Sequence, residues 1–485
     1  MKNIIKKYLS LSLAAILLCS CDGFMDINTN PNYPADADVN MLLPSAEIAV
    51  AGIVGGDMEL VGGLWSQHYT QNASANQYNT TVSYTLSNTS YSRFWSIPYT
   101  FALPDLNNIV KKATEKKLDN YYMAAEIMSC FTYHMLSSWY EDIPYTESLQ
   151  GEGNLYPAYD KGSAVNDALI TRVSTAVSKL ASAKTSSMLM TSDDMVFGGN
   201  MDKWAQFGTT LKLKLMMRNF DKYKNDIMSL LTAGGFLTSD AGIFSFTDKE
   251  NGSNPLYEND RRKLNTKNNI AACATLVNFL QANNDPRITV IYDENANGGY
   301  FGLNAGDRPA TSVIPAGKIS KAKLEATDGV YFLSVVESNF LQAEAWARLG
   351  DGAKAKAAYD KAVGFAFDRW GLSADSFIAA NGAYAFDATS TDKMLKCILT
   401  QKWVAAARCQ AWDSYFDITR TGIPALGSKL PTDAGYVLGE LSPVVDSSLP
   451  ANEFPKRMIY PKTSSDNNPN APTAVSITTK QWWQK

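Results

Sequence analysis

The spacing of apolar residues along the chain predicts several helices. Apolar side chains that recur every three or four positions lie on one face of a helix. The clearest case is 119–138, where most apolar side chains fall on one broad face. The other segments with this spacing are 104–116, 204–219, 330–349, 353–367 and 392–411. The pattern therefore predicts a mainly all-α fold with little β structure.

Two of these helices form a predicted hairpin around Gly350. A glycine there can end the first helix, and small alanines allow the two helices to pack closely. The positions that match the spacing of a tetratricopeptide unit are Ala343, Ala347, Leu349, Gly350, Asp351, Ala355, Tyr359 and Ala362. The other helix pairs match it only loosely, so a generic hairpin in a non-repeat fold is the alternative.

Long polar stretches separate the predicted helices. Residues 72–96 are rich in Asn, Thr, Ser and Tyr, 251–269 are polar and mixed, and 295–312 are rich in Gly and Asn. Long loops without regular structure in a folded domain usually carry function. We therefore expect a tetratricopeptide-like helical scaffold with a large, irregular, loop-rich portion.

The N-terminal residues have the pattern of a lipoprotein signal peptide. Lysines at the start precede an apolar run, 9–18, that is shorter than the roughly 20 residues needed to cross a bilayer. Ser20 supplies the small residue that lipoprotein processing requires before an acylated cysteine, and Cys21 follows it. An ordinary secretory peptide with incidental cysteines is the alternative.

Three parts of the chain are expected. Residues 1–20 form the signal peptide, 21–40 a polar tether that begins at the palmitate-carrying Cys21, and 41–485 a single folded domain. From the sequence we expect no later apolar run long enough to cross a bilayer, so the lipid is the expected membrane attachment. Each buried methylene group of such a lipid adds about 0.8 kcal/mol to anchoring.

The composition limits the classes of ligand and binding partner that we expect for this protein. The net charge is −4, without long runs of one sign. This argues against nucleic acid, which requires a basic patch, and suits a neutral ligand. Because the chain has two histidines and no CxxC pair, we expect neither a metal site nor a cofactor. The later cysteines are expected to be small buried apolar residues, with disulfide pairing left open; they are Cys130, Cys273, Cys397 and Cys409.

Several short motifs occur in the order found in the SusD/RagB family of lipoproteins. They are Asp26-Ile27-Asn28-Thr29-Asn30-Pro31-Asn32, Trp139-Tyr140-Glu141-Asp142-Ile143-Pro144-Tyr145-Thr146-Glu147-Ser148, Asp285-Pro286-Arg287, Glu344-Ala345, Gln401-Lys402-Trp403, Trp412 followed by Arg420-Thr421-Gly422-Ile423-Pro424, and Arg457-Met458-Ile459-Tyr460-Pro461. Each motif is short, but together they extend over nearly the whole chain after the signal peptide. The sequence therefore resembles this family along its length.

The resemblance implies a lipid-anchored protein of the outer membrane that faces the outside of the cell. Such a protein binds a glycan or another nutrient and delivers it to a SusC-like TonB-dependent transporter. The resemblance implies binding without catalysis, and a fold of tetratricopeptide-like helices with an irregular portion. Members of such a family differ most in their ligand loops, so the resemblance does not name the glycan.

Aromatic rings and amides near the polar loops are the predicted ligand-binding groups. A flat ring stacks on the C–H face of a sugar, and amides bond to its hydroxyls. The predicted residues are Trp65, Gln67, Tyr69, Tyr78, Tyr84, Trp95, Tyr300 and Phe301. A position in the core is the alternative for each ring, and apolar flanking sequence favours it for Trp65 and Trp95.

Two other classes of function remain open. A surface glycoside hydrolase would use paired carboxylates, although the chain has no GxSxG or HExxH motif and no catalytic residue is assigned. A tetratricopeptide adaptor would bind only protein partners and would not need loops rich in Tyr and Asn.

Overall fold

The computed structural model describes residues 37–264, 269–308, 314–450, 453–472 and 474–485. The predicted signal peptide, the predicted lipid attachment at Cys21 and most of the predicted tether lie outside the described residues. Within the described ranges helices dominate and strands are short, which confirms the predicted fold class.

Long helices build the scaffold, and short helices lie in the connections between them. In chain order the helices are α1 (Val39–Ile53), α2 (Glu59–Trp65), α3 (Asn79–Val82), α4 (Arg93–Ile97), α5 (Leu103–Lys116), α6 (Asp119–Tyr140), α7 (Gly162–Ser178), α8 (Leu180–Ala183), α9 (Met201–Met217), α10 (Phe220–Ala233), α11 (Pro255–Tyr257), α12 (Ala274–Ala282), α13 (Ile288–Ile291), α14 (Val335–Arg348), α15 (Gly352–Asp368), α16 (Asp375–Ile378), α17 (Thr391–Ala406), α18 (Ala411–Thr421) and α19 (Lys462–Asn467). Stretches with the wider π-helical spacing are Val54–Met58, Pro98–Ala102 and Glu258–Lys263.

The strands of the described residues form three small antiparallel sheets. They are β1 (Tyr69–Gln71), β2 (Ile143–Pro144), β3 (Tyr159–Asp160), β4 (Ala241–Ile243), β5 (Ile270–Ala272), β6 (Tyr292–Asp293), β7 (Lys321–Ala322) and β8 (Val330–Leu333). One sheet has the order β1-β5-β7-β6, with Tyr69 opposite Ala272, and the others pair β2 with β3 and β4 with β8. These sheets are too small to form a layer of the core, so they connect loops to the helices.

Most of the predicted helices are present, and two of the predictions are partly wrong. The segment 330–349 begins as strand β8, and α14 starts only after Ser334, whose side chain accepts a hydrogen bond from the Glu337 N–H at 3.1 Å. The segment 392–411 contains the end of α17 at Ala406, and Arg408 there has a φ of 64°. The apolar spacing continues through both segments. It therefore does not mark the start of α14 at its cap, Ser334, or the end of α17 just before the left-handed Arg408.

The sequence analysis missed the helical stretch from α1 to α2. Val39–Trp65 is 27 residues long and contains a window with a mean hydropathy of 1.4, so by length and composition it could cross a membrane. More than half of its apolar window is buried inside the molecule, as in the core helix of a soluble protein. At Gly62 a side chain would approach the Trp412 Cα to 2.2 Å, so this glycine allows α2 to lie directly against α18. The stretch therefore belongs to the core.

The cysteines after the predicted lipid attachment behave largely as expected. Each is free, Cys130, Cys273 and Cys409 are buried, and Cys397 is half-buried. Burial raises the pKa of the Cys130 thiol to about 12. These thiols are therefore neutral packing groups at ordinary pH.

The hairpin predicted around Gly350 is present as α14 and α15. Gly350 has a φ of 84°, a conformation that glycine adopts without strain. Asp351 then caps α15 by accepting a hydrogen bond from the Lys354 N–H at 3.0 Å. Ala355 and Ala362 are completely buried, so the two helices pack closely at these small side chains, as the sequence predicts.

A buried group of charges joins four helices that are distant in sequence. Lys214 of α9 pairs with Glu337 of α14 and with Asp413 of α18. Lys402 of α17 lies 3.4 Å from Glu337 and 3.5 Å from Asp413, and it also pairs with Asp417 of α18. We refer to these five residues as the buried charge cluster.

Ionisation within the cluster follows from burial and from its lysines. Burial alone would raise the pKa of the Asp413 carboxyl, but Lys214 and Lys402 hold it well below its ordinary value. Burial, reinforced by Asp413, raises the pKa of Glu337. Nearby, Arg420 contacts both oxygens of Glu344 at 2.7 Å and keeps that buried carboxylate ionised. The cluster holds three carboxylates and two lysines, so removing either lysine would leave buried negative charge with too little compensation.

Overpacking the hairpin should lower stability. We expect Ala362→Phe to reduce the free energy of unfolding by about 1–3 kcal/mol, because the larger ring must displace side chains between α14 and α15. Ala357→Phe places the same ring on the exposed face of α15 and is the matched control. Urea denaturation of both variants is the measurement. Equal midpoints for the two variants would contradict the close packing.

Removing one lysine of the buried charge cluster should be more damaging. We expect Lys402→Met to cost about 3–5 kcal/mol of unfolding free energy, because its carboxylate partners stay buried with too little positive charge. Lys396→Met, at an exposed position of the same helix, is the control and should change stability by less than about 0.5 kcal/mol. Similar unfolding curves for both variants would show that the cluster does not constrain the fold.

Candidate functional site

A cleft of about 570 Å³ lies beside α5, the β2–β3 connection and α19. Trp95 of α4 and Tyr99 contribute rings to it, and Tyr159 of β3 contributes a third. The lining therefore comes from three parts of the chain: residues 95–111, 144–159 and 463–468. We call it the Trp95 cleft.

Stacked aromatic rings hold the floor of the Trp95 cleft. The rings of Trp95 and Tyr159 are 5.8 Å apart and nearly parallel, at 19°. Tyr99 packs 5.0 Å from Trp95, and its hydroxyl donates to the Pro144 carbonyl at 2.7 Å. On the core side, Tyr140 meets Trp95 edge-on at 5.1 Å. Because each ring is held by another, the floor is fixed before any ligand arrives.

Burial keeps the phenols of the cleft neutral. It raises the pKa of the Tyr99 hydroxyl well above its ordinary value, an effect that Tyr133 and other neighbouring groups strengthen. Burial also raises the pKa of Tyr159. The Tyr159 hydroxyl is within hydrogen-bonding distance of the Ser464 hydroxyl on α19. These contacts connect β3 to α19 across the cleft.

Amide side chains surround the aromatic floor. Asn154 donates to Glu147 at 3.1 Å and Asn468 donates to the Pro157 carbonyl at 2.8 Å, so these two amides hold the loops together. By contrast, four lining amides make no hydrogen bond within the described ranges; they are Asn107, Asn108, Gln150 and Asn467. Their donors and acceptors are available to a ligand.

The cleft has almost no charge. Among the described residues that line it, none is an aspartate or a glutamate, and the cation is Lys111. Lys111 is exposed and forms no ion pair within the part of the chain that the structure describes. An uncharged lining of rings and amides suits an uncharged, hydroxyl-rich ligand.

Comparison with known proteins decides the family. A family model for SusD-like proteins, described as starch-binding and associating with the outer membrane, matches residues 38–461. The chain belongs to the SusD-like family. No curated protein matches this sequence.

Solved structures agree with this membership. A SusD homologue from Bacteroides uniformis has 21% identity and a TM-score of 0.76, covering 93% of this chain and 100% of that one. A chitin-binding SusD homologue from Flavobacterium johnsoniae has 19% identity and a TM-score of 0.76, covering 92% and 98%. A SusD-like protein from Bacteroides thetaiotaomicron has 21% identity and a TM-score of 0.73, covering 92% and 99%. At these identities the likeness shows that the fold is shared.

Of the binding residues predicted from the sequence, Trp95 lines this cleft of the SusD-like chain, although it is only 9% exposed and most of its ring packs against other rings. Trp65 is fully buried instead, and its indole N–H donates to the Thr81 carbonyl at 3.0 Å. Gln67 is also buried and donates to the Ser442 carbonyl at 2.6 Å. Tyr69 packs edge-on against Tyr292 in the core. These three side chains are buried, so the expectation that they face a ligand is wrong.

The polar loop 72–96 also turns its rings inward. Tyr78 is 7% exposed and its hydroxyl donates to Asp260 at 3.0 Å. Tyr84 is 6% exposed and packs edge-on against Trp65 and Phe454. The short helices α3 and α4 fold this loop onto the core, so the prediction of exposed stacking rings at Tyr78 and Tyr84 is wrong.

The second predicted platform is at the surface but away from the cleft. Tyr300 is half-buried and Phe301 is 38% exposed. The Phe301 carbonyl accepts a hydrogen bond from the Ser320 N–H at 2.9 Å, which holds this loop beside β7. Neither ring lines the Trp95 cleft, and a role for them in binding stays a prediction.

The sequence analysis missed most of the cleft. The amides of α5 were assigned to the predicted helix 104–116, and neither Tyr99 nor 148–157 was considered for binding. The run of Asn residues around 467–470 is the signal that could have drawn attention to α19. Its place opposite α5 depends on contacts between segments more than 300 residues apart.

The burial of Trp65 leads to a direct test. We expect Trp65→Ala to reduce the free energy of unfolding by about 3–5 kcal/mol, because it opens a large cavity among packed rings. Phe301→Ala removes a partly exposed ring and should cost less than about 1 kcal/mol. Thermal and urea melts of both variants check this. A Trp65→Ala protein as stable as the wild type would place that ring outside the core.

Proposed function

We propose that this SusD-like protein binds a glycan in the Trp95 cleft and does not cleave it. The observation that carries the proposal is the combination of a fixed aromatic floor with four free amides in one cleft. The rings offer apolar surface to the C–H faces of a sugar, and the amides can bond to its hydroxyls at the edges. The description of the family as starch-binding supports the same ligand class.

The lack of carboxylates supports binding over hydrolysis. Glycoside hydrolases place two carboxyl groups beside the scissile bond, one as an acid and one as a base or nucleophile. Among the described lining residues of the Trp95 cleft there is no such pair. A sugar held there would therefore meet hydrogen-bonding groups without a catalytic acid.

We further propose that the protein is a surface lipoprotein that delivers its ligand to a SusC-like TonB-dependent transporter. The family description, which associates its members with the outer membrane, supports the location. The signal-peptide pattern that ends at Ser20 supports lipid attachment at Cys21. A protein that hands over its cargo needs modest affinity, and micromolar binding corresponds to about −8 kcal/mol.

Lipid attachment and delivery each have a direct experiment. Mass spectrometry of the mature N-terminal peptide should find a diacylglyceryl group on Cys21, and an unmodified cysteine within a longer soluble chain would exclude it. Co-purification from solubilised outer membranes should recover a TonB-dependent transporter. Recovery of the protein without any transporter would argue against delivery.

The cleft makes a specific prediction about glycan binding. We expect Asn108→Ala and Gln150→Ala each to weaken binding about three- to tenfold, because each removes one or two hydrogen bonds to the ligand. Both positions are exposed, so stability should change by less than about 0.5 kcal/mol. Calorimetric titration with chitotetraose, maltohexaose and cellotetraose is the measurement, with chitotetraose chosen because one relative is chitin-binding.

A matched control and a second readout complete the design. Asn225→Ala removes an exposed amide on α10, outside the cleft, and should bind as the wild type does. Release of reducing ends should stay at the level of a blank reaction. Equal affinity in all three variants would exclude the cleft as the site, and binding of peptides but no glycan would favour the adaptor alternative.

A further inference from the structure

A second groove lies on the chain at residues that do not line the Trp95 cleft. It consists of two adjoining cavities, of about 460 and 230 Å³, that share Leu426 and Glu453. The larger cavity is lined by Lys456, Lys480 and Lys485. We call the two cavities together the lysine groove.

The lysines of this groove lack counterions. Within the ranges that the structure describes, Lys456 and Lys480 form no ion pair, and neither does Lys485 through its side chain. Glu453 is an acidic side chain of the lining, is exposed, and also forms no ion pair there. Positive side chains therefore outnumber negative ones in the larger cavity.

Lys456 is held in this position by the backbone around it. Its N–H donates to the Ile477 carbonyl at 2.7 Å, and its carbonyl accepts from the Gln484 side chain at 2.6 Å. Burial lowers the pKa of the Lys456 ammonium, and the charge of Lys480 lowers it further. Two like charges are thus brought together at a half-buried site, an arrangement that a bound anion would relieve.

The rest of the groove is suited to a sugar. Leu426 lines both cavities and is half-buried, so it offers apolar surface beside the lysines to the C–H face of a ring, whereas Pro424, Leu441 and Phe454 of the larger cavity are buried. At the other end Tyr84 lines the smaller cavity; its ring is buried, but its hydroxyl makes no hydrogen bond within the described part of the chain. Anionic, apolar and hydroxyl-bonding contacts are therefore available along one groove.

We propose that the lysine groove is a second glycan site, which binds sugars that carry a carboxylate or sulfate group between Lys456 and Lys480. A small inorganic anion would use the lysines alone, whereas an acidic sugar would also contact Leu426. The groove shares no lining residue with the Trp95 cleft, so this site can exist whether or not that cleft binds a neutral glycan.

The experiment compares acidic and neutral forms of one sugar. Wild-type protein is titrated calorimetrically with trigalacturonate, with its methyl ester, which has the same backbone without charge, and with a sulfated heparin disaccharide. We expect saturable binding of an acidic probe, at least about tenfold tighter than of the methyl ester. Raising the salt concentration should weaken that binding several-fold, because the site is partly exposed.

Variants assign the binding to the groove. Lys456→Gln combined with Lys480→Gln should weaken binding of the acidic probe at least about tenfold. Lys361→Gln combined with Lys396→Gln removes two exposed lysines elsewhere and should leave affinity unchanged. Asn108→Ala should also leave it unchanged, which separates this site from the Trp95 cleft. Melting curves confirm that each variant is folded.

Several results would overturn the proposal. One is the absence of saturable binding by both acidic probes. Another is equal affinity of the double variant and the wild type, which would place the site elsewhere. Displacement of the sugar by equimolar inorganic sulfate would reduce the groove to a general anion site, and equal binding of trigalacturonate and its methyl ester would show that the lysines are not used.

Discussion

The buried charge cluster is the constraint on which the arrangement of the helices depends. Removing Lys214, Lys402 and their carboxylate partners from water costs several kcal/mol per ion, so the folded state requires each charge to meet its partner. These partners lie on α9, α14, α17 and α18, and any large shift of one helix would separate them. A purely apolar interface would tolerate sliding far better. The cluster therefore favours one register of the scaffold and disfavours nearby alternatives.

The arrangement of these helices positions the Trp95 cleft through a series of packed aromatic rings. On α18, Tyr415 stacks on Trp139 of α6 at 5.2 Å and 13°. The next residue of α6, Tyr140, packs edge-on against Trp95. The position of the cleft floor thus follows from the position of α18, which the charges hold. A floor that is ordered in advance loses little entropy when a ligand binds, so even shallow contacts can give useful affinity.

The sequence predicted what depends on local periodicity and missed what depends on distant contacts. The hairpin at Gly350 was predictable, because a glycine, a capping Asp351 and spaced alanines all lie within 20 residues. Val39–Trp65 was missed because apolar Met41 and Ile48 occupy exposed positions of α1 and Pro44 lies inside it, so no polar face marks the helix in the sequence. The rings of Tyr78 and Tyr84 lie in polar sequence, yet α3 and α4 turn them to the core. The amides of α5 and α19 become neighbours only after the chain has folded, so no motif could join them.

In the two proposed sites local charge would select the ligand, and the net charge of the molecule would have little influence on either. A net charge of −4 would repel an acidic glycan at long range, but charges are screened beyond about 8 Å at physiological ionic strength. Close to the surface, a sugar meets only the groups that line the groove. In the Trp95 cleft these are rings, amides and one exposed lysine, so a neutral sugar loses little by leaving water. In the lysine groove an acidic group replaces the water around two ammonium groups and offsets their mutual repulsion. If both proposals hold, the same scaffold binds two classes of glycan, because each class is selected by a few side chains within one Debye length.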